Sequence, residues 1–175
     1  MKYIQDYIKE VQRTAVLPTL TENELIKNFA LCIFEKCGEV SGVIKKYLFH
    51  GHELDREKLI KELGDLLWYF TAICNIKENN LLALYNETNN SHFIDYPDFE
   101  SEIYLMKILQ DKSYEISTLF FNNSNNQYYL YSFLNSYLEF INVYDITLAE
   151  IMQANTDKLR ARYKDKFTFE ESKNR

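Results

Sequence analysis

Glu35 and Glu39 stand four residues apart in one stretch of helical periodicity, and Glu62 and Asp65 stand three apart in the next. At about 100° per residue, each pair shares one helix face. Two such helices packed antiparallel bring four carboxylates to one point, and their mutual repulsion calls for a counter-cation. Mg²⁺, with Mn²⁺ as a substitute, is the natural choice. It is hard, takes oxygen ligands, and keeps water and phosphate oxygens in its shell. Within KELGDLLWYF, Glu62 and Asp65 border a strongly apolar stripe, which places them near the core.

Positioning these carboxylates requires two long helices joined by a short turn. Thr21 and Glu24 form a capping-box pattern at the start of a helix predicted to reach about Phe49. His50-Gly51-His52-Glu53-Leu54 interrupts it. Asp55 then suits the N-cap of a helix carried through Cys74, with Leu59, Leu63, Leu66, Leu67 and Phe70 as its stripe. Before this hairpin, Tyr3, Tyr7, Ile8, Val11 and Ala15 recur at helical spacing until Pro18. After it come a short segment over 81–85, a polar connection over 86–96 and Pro97. Two helices follow at about 100–121 and 128–144 around the Asn-rich loop 122–126, and a last one, opened by a Thr147/Glu150 capping box, reaches about Tyr163. The charged tail from Glu170 reads as frayed.

The second half echoes the first. Glu35-Lys-Cys-Gly-Glu39-Val-Ser41 resembles Asp111-Lys-Ser-Tyr-Glu115-Ile-Ser117, and 63–67 can be laid against 134–138, with Phe133 and Ser136 in place of Glu62 and Asp65. A degenerate hairpin duplication and a chance match between amphipathic helices both account for this.

At 175 residues and 46% hydrophobic content, the chain supports one core and reads as a single all-α domain. Residues 1–97 carry the acidic hairpin, 98–165 form the second half, and 166–175 are a tail. Four Gly and two Pro leave few of the tight turns that a β-sandwich or barrel needs. A net charge of −6 argues against a broad basic face for a nucleic acid polymer. Cys32, Cys37 and Cys74 lack a zinc spacing or a CxxC pair and read as reduced core thiols. Neither a signal peptide nor an apolar run of roughly 18 residues is present, so a cytoplasmic protein without a membrane partner is expected.

The stretch EKCGEVSGVIKKYLFHGHELDREKLIKELGDLLWYF resembles the MazG-like all-α nucleoside triphosphate pyrophosphohydrolases, with their EExxE and ExxD motifs. Asn155-Thr-Asp-Lys158-Leu-Arg-Ala-Arg162-Tyr163 is similar to that family's closing NxxKLxxRY segment. Together these cover somewhat under half of the chain. The resemblance implies water attack within a triphosphate, release of a nucleoside monophosphate and pyrophosphate, bound Mg²⁺, and a homodimer or higher homo-oligomer whose interface uses the second half. Glu39 matches the last Glu of EExxE, Glu35 the first, and Glu62 and Asp65 match ExxD.

Lys36 stands where the family places its second Glu, usually a metal ligand. This changes the site from −1 to +1 at that position and weakens its attraction for a cation. Either Glu35 turns in as a substitute ligand, or Lys36 holds a substrate phosphate as a compact point charge. Binding without cleavage is equally compatible. In an active site of this class, Glu35 or a neighbour would orient or deprotonate the attacking water, Lys158 and Arg162 would pair with phosphate oxygens, and Asn155 would hydrogen-bond a phosphate or a metal-bound water.

Trp68, Tyr69 and Phe70 suit core packing, with Trp68 the candidate for stacking on a nucleobase. Lys45 and Lys46 fit either a phosphate or the carbonyl end of their own helix. His50 and His52 read as loop residues around a chain-reversing Gly51 and not as ligands.

Overall fold

The computed structural model describes residues 2–15, 17, 19–88 and 99–163, and among these every regular element is a helix. They are α1 (Lys2–Thr14), α2 (Glu22–Phe49), α3 (Arg56–Ile76), α4 (Leu81–Thr88), α5 (Phe99–Phe121), α6 (Gln127–Val143) and α7 (Leu148–Arg162). The expected all-α class holds. The expected boundaries shift by a few residues: α3 runs two residues past Cys74, and α4 continues past Tyr85. The turn at Pro18, the connection over 89–98 and the tail from 164 lie outside the described residues.

Side chains that satisfy free N–H groups set the helix starts. Thr21 accepts from the Glu24 N–H at 3.4 Å while Glu24 Oε2 accepts from the Thr21 N–H at 2.9 Å, so α2 opens on a complete capping box. Asp55 caps α3 by accepting from the Lys58 N–H at 3.0 Å. At α7 only half of the expected box forms. Thr147 Oγ1 accepts from the Glu150 N–H at 3.2 Å, but the Glu150 carboxylate takes the Arg56 guanidinium at 3.1 Å. Glu150 therefore ties α7 to α3 instead of closing its own helix start.

α2 and α3 run antiparallel, as the order of their contacts shows. Phe29 packs on Trp68 and Tyr69, whereas Lys36, further along α2, meets Asp65 and Glu62, earlier on α3. Between them Gly51, at φ +69, takes the left-handed conformation that the reversal needs. The opposite side of α2 lies antiparallel to α5: Ser117 Oγ donates to the Ala30 carbonyl, and Gln110 Nε2 donates to Ser41 Oγ at 2.8 Å. α6 packs on α5 and reaches α3, where the Phe70 and Phe133 rings lie 4.7 Å apart and Tyr137 Oη donates to the Leu63 carbonyl at 3.0 Å. α7 runs alongside α3 in the same direction, and α1 covers both.

One continuous apolar cluster joins these layers, drawing Ile4 from α1, Ile33 from α2, Leu63 from α3, Leu81 from α4, Phe120 from α5, Phe133 from α6 and Ile151 from α7. Phe133 and Ser136, the counterparts of Glu62 and Asp65 in the echo, are both buried in it. α6 thus supplies core where α3 supplies carboxylates, while α5 keeps Asp111 and Glu115, paired with Lys107 and Lys112. Among the described residues, no helix is long and apolar enough to cross a membrane.

Removing the α2 cap by Thr21→Ala should cost about 1 kcal/mol. A calorimetric scan should register this as a fall in Tm of about 2–4 °C.

Candidate functional site

Lys36 and Glu39 project from α2 towards Glu62 and Asp65 on α3. The Lys36 ammonium bonds Glu39 Oε2 and stands 3.6 Å from Glu62 Oε2 and 3.9 Å from Asp65 Oδ2. Three of the four acidic residues singled out from spacing therefore converge, with a lysine among them. Glu35 is exposed, and among the described residues no hydrogen bond or ion pair joins it to this cluster. Glu39 lies between Glu35 and Lys36 on the helix, about 40° from Glu35 and about 60° from Lys36, and α3 packs on the Lys36 side, which leaves Glu35 turned outward.

α7 closes the cluster from the other side. Asp65 Oδ1 accepts from Lys158 Nζ and, at 3.1 Å, from Asn155 Nδ2. Asn155 is 3% exposed, and its Oδ1 accepts from the buried Tyr7 hydroxyl at 3.3 Å, so both ends of the amide are held. Gly64 permits this approach of α7 to α3: a Cβ there would lie 3.1 Å from Asn155 Cβ and 3.2 Å from its Nδ2. The residue before Asp65 must therefore be nearly without volume for Asp65 and Asn155 to meet.

Electrostatics separate the two glutamates. Burial acts upward on Glu39, but its hydrogen bonds to Lys36 and Glu62 prevail and hold it below the usual carboxylate range. In Glu62 burial is reinforced by the neighbouring Glu39, and together they outweigh Lys36 and push the carboxyl up. Glu62 Oε2 is also buried without a hydrogen-bond partner. Burial acts downward on Lys36, yet Glu39 and Asp65 hold it above the ordinary lysine value; burial pulls Lys158 down in spite of Asp65.

Beside the cluster opens a cleft of about 250 Å³. Phe29, Trp68 and Tyr69 line one part of it, and Lys36, Asp65, Lys158 and Arg162 another. Trp68 is half-buried. Its Nε1 donates to Thr14 Oγ1 at 3.0 Å and its ring meets Phe29 edge-on at 5.4 Å, so it forms a fixed wall. Arg162 is exposed and makes no ion pair among the described residues. His52, Lys45 and Lys46 line a separate cleft on the far side of Glu39 and Glu62, and His50 is exposed. Tyr7, Thr14 and Phe29 support the site without having been singled out from sequence. Tyr7 and Phe29 belong to apolar patterns, Thr14 bonds back to the Glu10 carbonyl of its own helix, and nothing local signals that Tyr7 meets a residue 148 positions away.

Residues 25–87 match the family model of the MazG nucleotide pyrophosphohydrolase domain. The chain thus carries a MazG-like, all-α segment of nucleotide pyrophosphohydrolase type, and it holds Lys36, Glu39, Glu62 and Asp65. Asn155, Lys158 and Arg162 lie beyond the matched span. No curated protein and no solved structure matches the chain.

Enzymes of this family generally depend on a divalent metal. The arrangement seen here does not fit one. Among the described residues no three His, Cys, Asp or Glu side chains are grouped so as to hold an ion, and the Lys36 ammonium stands among the three carboxylates that would.

Two substitutions test this geometry. Gly64→Ala should destabilise the protein, because overpacking against a fully bonded Asn155 costs about 1–3 kcal/mol against a helix-propensity gain of about 1 kcal/mol; denaturant unfolding measures the balance. Glu62→Gln should raise Tm at neutral pH. A carboxyl held above its unfolded pKa penalises the folded state when ionised, and that penalty fades as pH falls through the folded value. The gain should therefore shrink in mildly acidic buffer, and a Tm loss at neutral pH would contradict the assignment.

Proposed function

We propose that the protein binds a nucleoside triphosphate in the cleft beside Asp65, as a member of the nucleotide pyrophosphohydrolase class. The observation that carries this reading is the pairing, in one cleft, of an aromatic wall with a group of cations. Phe29, Trp68 and Tyr69 offer flat apolar surface to a base, and Lys36, Lys158 and Arg162 offer charge to the phosphates. Arg162, free of ion pairs among the described residues, is available for bidentate contact. Lys158 would exchange Asp65 for a phosphate oxygen. Asn155, fixed between Tyr7 and Asp65, acts by holding Asp65 in place.

A second reading is turnover by the family's reaction, splitting the triphosphate into a nucleoside monophosphate and pyrophosphate in a nucleotide-pool sanitation or phage- or stress-related role. Glu62 Oε2 favours it, as a buried acceptor without a hydrogen-bond partner at the edge of the cluster. This reading requires Lys36 to leave the three carboxylates.

Calorimetry with a panel of nucleoside triphosphates, joined to chromatography for monophosphate and pyrophosphate, separates the readings. Lys158→Ala and Arg162→Ala should each weaken binding by about 1.5–3 kcal/mol, the range for a charge-assisted hydrogen bond. Trp68→Ala should cost about 1–3 kcal/mol if the base stacks there. Binding without products supports the first reading, and products formed with Mg²⁺ or Mn²⁺ support the second. Affinities indifferent to all three substitutions would overturn the cleft as the nucleotide site.

A further inference from the structure

We infer that the Lys36 ammonium is the resident cation of the acidic cluster, so that the folded protein does not take up a divalent ion on Glu39, Glu62 and Asp65. The inference follows from placement. Lys36 Nζ bonds Glu39 and lies within 4 Å of both Glu62 and Asp65, close enough to exclude another cation from the space between them. Its side chain is 17% exposed and enters from α2, the helix that also supplies Glu39, so the charge is covalently tethered and its local concentration is independent of the solution.

The far side of the cluster is closed in the same way. Lys158, on α7 and 16% exposed, bonds the Asp65 oxygen opposite the one facing Lys36. Asp65 thus has an ammonium at each oxygen and an amide donor besides. To bind there, an ion would have to displace Lys36, strip one of these donors, and offset the repulsion of the remaining cation.

The test uses the whole chain with Mn²⁺ alone, without nucleotide, read by titration calorimetry and by the Mn²⁺ electron paramagnetic signal, alongside Tm with and without the ion. The unaltered protein should show no stoichiometric binding and no Tm change. Lys36→Glu should bind Mn²⁺ more tightly by on the order of 100-fold or more, since the local charge changes by two units beside a divalent ion. Lys36→Met keeps the apolar stem and removes the charge. It should lose stability in metal-free buffer and regain it on adding Mn²⁺, which keeps the inference testable if Lys36→Glu does not fold.

Stoichiometric Mn²⁺ binding by the unaltered protein, at an affinity matching Lys36→Met, would overturn the inference. So would a Lys36→Met protein whose Tm ignores the ion. The inference shares the cluster with the nucleotide reading but does not depend on it. A protein that binds no nucleotide yet shows this metal pattern overturns that reading alone, and one that binds both nucleotide and free Mn²⁺ overturns this one alone.

Discussion

Three carboxylates cannot share a half-buried junction between two helices unless cations neutralise them, and that constraint organises this molecule. Glu39, Glu62 and Asp65 are brought together by the antiparallel packing of α2 on α3, which the apolar stripes of both helices drive. Packing alone would leave their repulsion uncompensated. Lys36 answers it from within the same hairpin and Lys158 from the far end of the chain, so the charge balance of the first half depends on the placement of the last helix. The Arg56–Glu150 pair, the Gly64–Asn155 approach and the Tyr7–Asn155 hydrogen bond all serve that placement.

Much of the fold was legible from one sequence because its signals are local. Capping at Thr21 and Asp55, the glycine at the hairpin turn and the spacing of Leu59, Leu63, Leu66, Leu67 and Phe70 depend on neighbours a few residues away. The same locality misled at Thr147. A Thr-x-x-Glu pattern cannot reveal that Arg56, 94 residues earlier, will claim the glutamate.

The convergence of Glu39, Glu62 and Asp65 followed from helical periodicity, but the occupant of their midpoint did not. Spacing fixes which residues share a face to within about a quarter turn, too coarsely to choose between Glu35 and Lys36 as the side chain that faces α3. The supporting shell was less legible still. Tyr7 and Phe29 read as ordinary apolar positions, and their role comes only from the tertiary packing of α1 and α2 around α3. Asn155 and Lys158 were visible as members of a motif, yet their partner Asp65 lies some ninety residues away.

The close approach at Gly64 also bears on modularity. The segment that carries the family signature, 25–87, contains every carboxylate of the cluster but neither Asn155 nor Lys158, which complete Asp65. Severed from α1 and α7, it would present the Gly64 surface of α3 to water and lose the ammonium that bonds Asp65 Oδ1. The matched segment is therefore not the whole of the site: grafting the hairpin into another scaffold would transplant a charge imbalance along with the motif.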